Sequence, residues 1–127
     1  MPGIATTVAN SLVGAEVRNT AYTGPVSLYV ALHTADPGST GASEISGGSY
    51  VRQAITFGAA SAGTSSNSAV MNYTNMPAVT CTHISLWDAA TAGTFVQSGS
   101  LTASVVVAAG NTLQFAAGQL TFNVTAI

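Results

Sequence analysis

His33 and His83 are the only imidazoles in this 127-residue chain, and each is followed within a few residues by a carboxylate, Asp36 and Asp88. A histidine held by an aspartate beside a serine hydroxyl is the constellation of hydrolytic catalysis. The spacing does not complete it. There is no Gly-x-Ser-x-Gly elbow to present a nucleophile and no histidine pair at metal-binding distance. The expected catalytic residues, metal ligands and cofactors are therefore none. The bland reading is stronger: the histidines hydrogen-bond backbone or hydroxyl groups, and Asp36 and Asp88 organise turns through local acceptor bonds.

Arg52 is the more informative charge. Its possible partners are Glu16, Asp36, Glu44 and Asp88, the four carboxylates of the chain. It is either an exposed strand arginine or half of an ion pair, within the fold or across a subunit boundary. Cys81 is a single cysteine, so it forms no intrachain disulfide, and a small buried filler is its expected role.

Only 5% of the residues are charged, and lysine is absent. An ordinary soluble domain carries about 25%. More than half of the chain is Ala, Gly, Ser or Thr. With a net charge of -2 and a mean hydropathy of +0.43, little repulsion keeps copies apart. Self-association is expected. Two arginines are too few for a phosphate-binding patch, which argues against nucleic acid. Apolar runs such as Val105–Ala109 are far shorter than the ~20 residues of a membrane-spanning helix, so no membrane insertion is expected. The opening Met1-Pro2-Gly3-Ile4 lacks the basic and apolar regions of a secretory signal. Synthesis in a cytoplasm is the corresponding expectation.

The elements that must position these residues are mostly strands. Ile4, Val8 and Leu12 fall on one helical stripe, with Thr6 or Thr7 as cap and Gly14 as a weak point or end. From Tyr22 the period becomes two. Val26, Leu28, Val30 and Leu32 alternate with smaller or polar residues until Asp36-Pro37-Gly38 turns the chain. Alternation returns at Val51–Phe57, Val70–Tyr73 and Val79–Asp88. In the last of these, Ile84 and Leu86 face the core, and Cys81, His83, Ser85 and Trp87 face the other way. That second set is semi-polar, which assigns Trp87 to a sheet edge or subunit contact. Residues 39–49 and 58–68 read as loops. Seven or eight short strands at 8–12-residue spacing predict a sandwich or barrel.

Several segments resemble a family of small tailed-bacteriophage virion proteins commonly labelled tail fibre proteins. They are Arg18-Asn19-Thr20-Ala21-Tyr22 with Leu28 to Pro37, Gly47 to Gln53 with Ile55 to Ser61, Thr82 to Thr91, and Ala109 to Phe115 with Ala117 to Thr121. The resemblance covers nearly the whole chain. It implies a non-enzymatic virion structural protein, present in many copies on the particle exterior. A tail fibre or tail-appendage subunit is the first reading, and a capsid decoration protein on the major capsid lattice is the alternative. A module stacking a host-surface glycan on Trp87, Tyr50 or Tyr73 is a further one. Other virion proteins, of the tail or the capsid, are the implied partners, and a homotrimer is the self-assembly favoured by analogy with phage appendages and decorations. Synthesis in a host bacterial cytoplasm is implied as well.

The expected architecture is all-β: a jelly-roll-like sandwich of about eight antiparallel strands with a short N-terminal helix. Residues 1–20 form the helix or attachment arm and 21–127 the sandwich domain. Ile4, Val8, Leu12, Arg52 and Trp87 are the candidate interface.

Overall fold

A computed structural model describes residues 3–123. Helix α1 (Thr6–Arg18) precedes strands β1 (Leu28–His33), β2 (Gln53–Ile55), β3 (Thr64–Ser66), β4 (Met71–Tyr73), β5 (Val79–Trp87), β6 (Phe95–Val107), β7 (Leu113–Phe115) and β8 (Thr121–Asn123). The named strands pair antiparallel throughout. One sheet runs β2-β1-β5-β6, and two ribbons pair β3 with β8 and β4 with β7. The fold is thus all-β with a short N-terminal helix. Its strands divide into one sheet of four and two ribbons of two.

Alternation sets the faces of the main sheet. Val30 and Leu32 on β1 stand opposite Leu86 and Ile84 on β5 and enter the principal core. Met71 and Tyr73 of β4, with Leu113 and Phe115 of β7, complete that core from the ribbon side. Tyr73 is 1% exposed, and its hydroxyl donates to the Val30 carbonyl at 2.8 Å, which satisfies the one polar atom its ring takes inside. Leu86 is buried. Ile84 packs on the same core but is only half-buried.

Three local expectations need correction. The first concerns Cys81, which joins the principal core with Leu86 and does not share a face with Trp87. The cause is a break in pairing: Cys81 stands opposite Val105 but His83 opposite Ser100, so four residues of β6 bulge against Thr82 and the alternation reverses.

The second correction concerns the N-terminal stripe. Ile4 precedes the helix and bridges Gln97 antiparallel, with Ala5 N–H donating to the Val96 carbonyl and Ser98 N–H to the Gly3 carbonyl, both at 2.8 Å. Ala5 is the N-cap and contributes no side-chain bond, so neither Thr6 nor Thr7 caps the helix. Gly14 does not end it either. The helix continues to Arg18 and closes on Asn19, whose left-handed backbone (φ 52°) turns the Thr20 N–H back to the Gly14 carbonyl at 3.2 Å. No residue of α1 is fully buried.

The third is the stretch 58–68, read as a loop. It contains β3 and the buried Asn67. The Asn67 amide donates to the carbonyls of Ala69 (2.9 Å) and Ala116 (3.0 Å) and accepts from the Leu120 N–H (2.9 Å). One polar side chain thereby does for this segment what an apolar one does elsewhere: it fixes β3 beside β8.

Candidate functional site

Of the residues singled out for chemistry, His33, Arg52 and Trp87 gather on the face of the sheet away from the principal core. Strand β2 pairs with β1 only as far as Val30, so the far end of β1 needs other partners. The loop after β1 folds back to supply them. Ile45 N–H donates to the Leu32 carbonyl, Thr34 N–H donates to the Ser43 carbonyl, and His33 bridges Glu44. The remaining donor, Leu32 N–H, goes to the Tyr50 hydroxyl at 2.9 Å, which in turn donates to Glu44 Oε1 at 3.1 Å. Burial and the neighbouring Glu44 charge push the Tyr50 phenol far up, so it stays protonated and able to donate.

Glu44 is also the partner of Arg52. Nε and Nη2 of the guanidinium fork onto Oε1 (2.9 Å) and Oε2 (2.8 Å), and Nη1 donates to the Ala92 carbonyl (2.8 Å) and the Ala89 carbonyl (3.3 Å). Burial alone would raise the Glu44 carboxyl, but the hydrogen bonds and charge of Arg52 outweigh it and hold the group below its ordinary value. The guanidinium lies over the Trp87 ring, 4.1 Å from its centroid, and so roofs the indole. Below it, Trp87 packs edge-on against Phe95 (centroids 5.6 Å apart) in a second small core with Ala31.

The polar members of this face satisfy one another. Trp87 Nε1–H donates to Ser85 Oγ at 2.7 Å, and Ser85 Oγ lies 2.6 Å from His33 Nε2. His33 Nδ1 faces the Ala42 carbonyl at 2.8 Å. A carbonyl only accepts, so Nδ1 carries the imidazole proton and Nε2 accepts from the serine hydroxyl. Burial lowers the pKa of His33, against the Ala42 bond and the Glu44 charge that would raise it, so the ring is held neutral. A serine bonded to a histidine is the first half of a nucleophile–base pair. Here His33 is 0% and Ser85 1% exposed, so no substrate atom can reach the oxygen. The chain of bonds is a means of burying polar groups. That is how a semi-polar face comes to be buried within one chain.

Among the predicted residues, Arg52 and Trp87 therefore meet within one chain, and the indole is only 8% exposed. Val8 and Leu12 are half-buried on the inner side of α1, and Ile4 sits at the edge of β6. Asp36 Oδ1 accepts the Gly38 N–H (2.8 Å), and Asp88 Oδ1 accepts the Thr94 N–H (2.7 Å). The aromatics considered for a glycan platform are not displayed. Trp87 and Tyr73 are buried, and Tyr50 stacks on Tyr73 with 6.0 Å between ring centroids. Glu44 and Asn67 were not singled out as site residues. Glu44 had a signal, as one of four possible partners of Arg52; Asn67 sits among serines and glycines with none. Among the described residues no cluster of His, Cys, Asp and Glu could hold a metal ion, and no helix is long and apolar enough to cross a membrane.

Loops stitched to a sheet by a partly buried ion pair, with His33, Ser85 and Trp87 joined in mutual hydrogen bonds, define an all-β domain with a polar second core. The model of the Podophage GP4 fiber I protein gp80 family matches residues 3–123, and the chain belongs to that family of phage fibre proteins. No curated protein matches it.

Proposed function

We propose that the chain is a non-enzymatic structural subunit of the tail fibre or of a tail appendage, on the outside of the virion and in many copies. The observation that carries this reading is the fibre-family match over residues 3–123. The surface supports it. Of the six charged side chains, Arg52 and Glu44 are spent on each other, with only 9% and 26% of their side chains exposed. A surface left with so little charge suits a protein surrounded by neighbours of its own kind. The preferred assembly is a closed homotrimer, in contact with other virion proteins of the tail.

Antibody-gold labelling of purified particles, combined with counting copies per virion by mass spectrometry, tests the location. Label on the tail, in multiple copies but far fewer than a head lattice would hold, is the expected result. Hundreds of copies over the head would replace this reading by a capsid decoration protein. Absence from the particle would overturn both.

A further inference from the structure

We infer that the N-terminal segment, residues 3–18, docks on a neighbouring copy of the same chain, seating its strand on that copy's β6 edge and its helix on that copy's apolar groove. This rests on the reading of the chain as a self-assembling subunit and adds the means of assembly.

Four observations lead there. The segment is held as a detachable unit: its first residues add a short strand to the edge of β6 through the Ala5–Val96 and Ser98–Gly3 bonds, and no residue of the helix that follows is fully buried. Its connection is open: every residue from Ala15 to Ser27 is exposed. Fully extended, the nine residues 19–27 reach at most about 30 Å, on the order of the diameter of one such domain. The docking site is apolar and only partly filled. A groove of about 290 Å³ remains beside Val8 and Leu12, walled by Leu28, Phe57, Val96 and Phe122 and bordered by Tyr22 and Pro25 of the connection. Finally, apolar groups crowd the junction without cover: Val13 is 59% exposed, Val17 70% and Val26 101%.

Exchange reproduces in the neighbour every contact that the segment makes at home, so it changes few interactions within either body. What it adds is the junction, where Val13, Val17 and Val26 come to lie between two copies. It also covers the edge of β6 with backbone from outside the subunit, the β-augmentation mode of recognition. In a ring of copies each gives one segment and receives one, and no docking site is left empty.

The test uses full-length chains in a Cys81→Ala background, one carrying Ile4→Cys and one Gln97→Cys. The bonds on either side make positions 4 and 97 a non-hydrogen-bonded antiparallel pair. Its Cα separation of about 4.5 Å suits a disulfide. The two variants are unfolded together, refolded as a mixture and oxidised. The expected product is a covalent heterodimer in which mass spectrometry finds the peptides joined at 4 and 97. The Ile4→Cys/Gln97→Cys double variant is expected to give a ladder of linked chains on a non-reducing gel.

A double variant that closes entirely within the monomer, or mixtures linked only 4 to 4 and 97 to 97, would overturn the exchange. So would positions 4 and 97 remaining unlinked in both experiments. Sedimentation of the wild-type chain separates this failure from that of the wider reading. An oligomer whose disulfides are all internal keeps self-assembly and removes the exchange, whereas a monomer removes both. If Cys81→Ala lowers the yield of folded protein, the fully buried wild-type Cys81 serves as the background instead.

Discussion

The guanidinium of Arg52 lies 4.1 Å above the ring of Trp87 while its other edge forks onto Glu44. That arrangement joins the loop carrying Glu44 and the residue just before β2 to the distant turn after β5. It also explains how an indole on a semi-polar face becomes core. The cation covers the ring, and Ser85 takes its N–H.

Removing the roof should loosen all three segments together. Arg52→Ala leaves Glu44 half-buried without its cation and Trp87 uncovered. The expected loss is about 2–4 kcal/mol, between that of a surface pair and that of a fully buried one. Arg52→Lys keeps the charge but not the fork, and should recover only part of the loss. Urea unfolding of the three proteins, followed by tryptophan fluorescence, measures this directly. Equal stability of all three would mean that the loops hold without the pair.

Trp87→Ala and Leu86→Ala remove adjacent side chains from opposite faces of β5, both of them buried in one chain. Leu86→Ala should cost about 2–5 kcal/mol and Trp87→Ala about 3–5 kcal/mol of subunit stability. A Trp87→Ala variant that unfolds like the wild type but fails to assemble would instead put the indole at a subunit contact. Melting curves and sedimentation on the same samples distinguish the two outcomes.

Gly41 passes against the edge of the same indole with φ +78°. A Cβ at this position would overlap Trp87 Cζ2 and stand 2.8 Å from Cη2. Gly41→Ala therefore meets both an unfavourable backbone conformation and a ring that cannot withdraw from beneath Arg52. A destabilisation of at least about 2 kcal/mol is expected, read as a lower urea midpoint.

Acid should act on this face in two stages. Burial holds the His33 pKa below its ordinary 6.5, so the unfolded chain binds the proton first as pH falls. The stability that His33 contributes is complete above about 6.5 and declines as pH drops from there toward its folded pKa. Glu44, held below its ordinary value, gives up its contribution further down, as pH falls through the carboxylate range. Unfolding midpoints measured from about pH 8 to pH 5 should fall on the acid side, and His33→Gln should flatten that first decline. An unchanged slope in the variant would assign the decline to other groups.

How much of this was legible in the residues depends on whether one local pattern sufficed. The alternation of Leu28–Leu32 and of Ile84–Leu86 predicts the faces of β1 and upper β5, because a two-residue period needs no knowledge of neighbours. The same pattern misplaces Cys81, since the bulge that reverses its face arises from the pairing with β6. The burial of Trp87 is missed for a related reason. Its neighbours Ser85 and His33 look polar in sequence, and only their mutual bonds make the face burial-competent. Arg52 and Glu44 are eight positions apart and were legible as possible partners, though not as a pair. The helix was visible, but its start was not: Ile4 continues the stripe numerically while its backbone bonds belong to β6.

Asn67 is the residue with the least signal in sequence and a large expected effect. Its amide meets two carbonyls and one N–H, so each atom has a partner of the right kind. Asn67→Ala leaves the Ala69 and Ala116 carbonyls and the Leu120 N–H to find others in a site only 2% exposed, at an expected cost of about 3 kcal/mol or more. Asn67→Asp has nearly the same shape and should be worse at neutral pH, because a carboxylate would face two carbonyl oxygens with no proton to offer. Protonation supplies one donor, so the Asp variant's pKa is raised in the folded state and its deficit shrinks as pH falls toward about 4. The Ala variant has no titrating group and keeps the wild-type pH dependence. Denaturation of both variants at about pH 7 and pH 4.5 makes the comparison, and an Asp variant that is no worse than Ala at neutral pH would show that the amide's two donated bonds hold little.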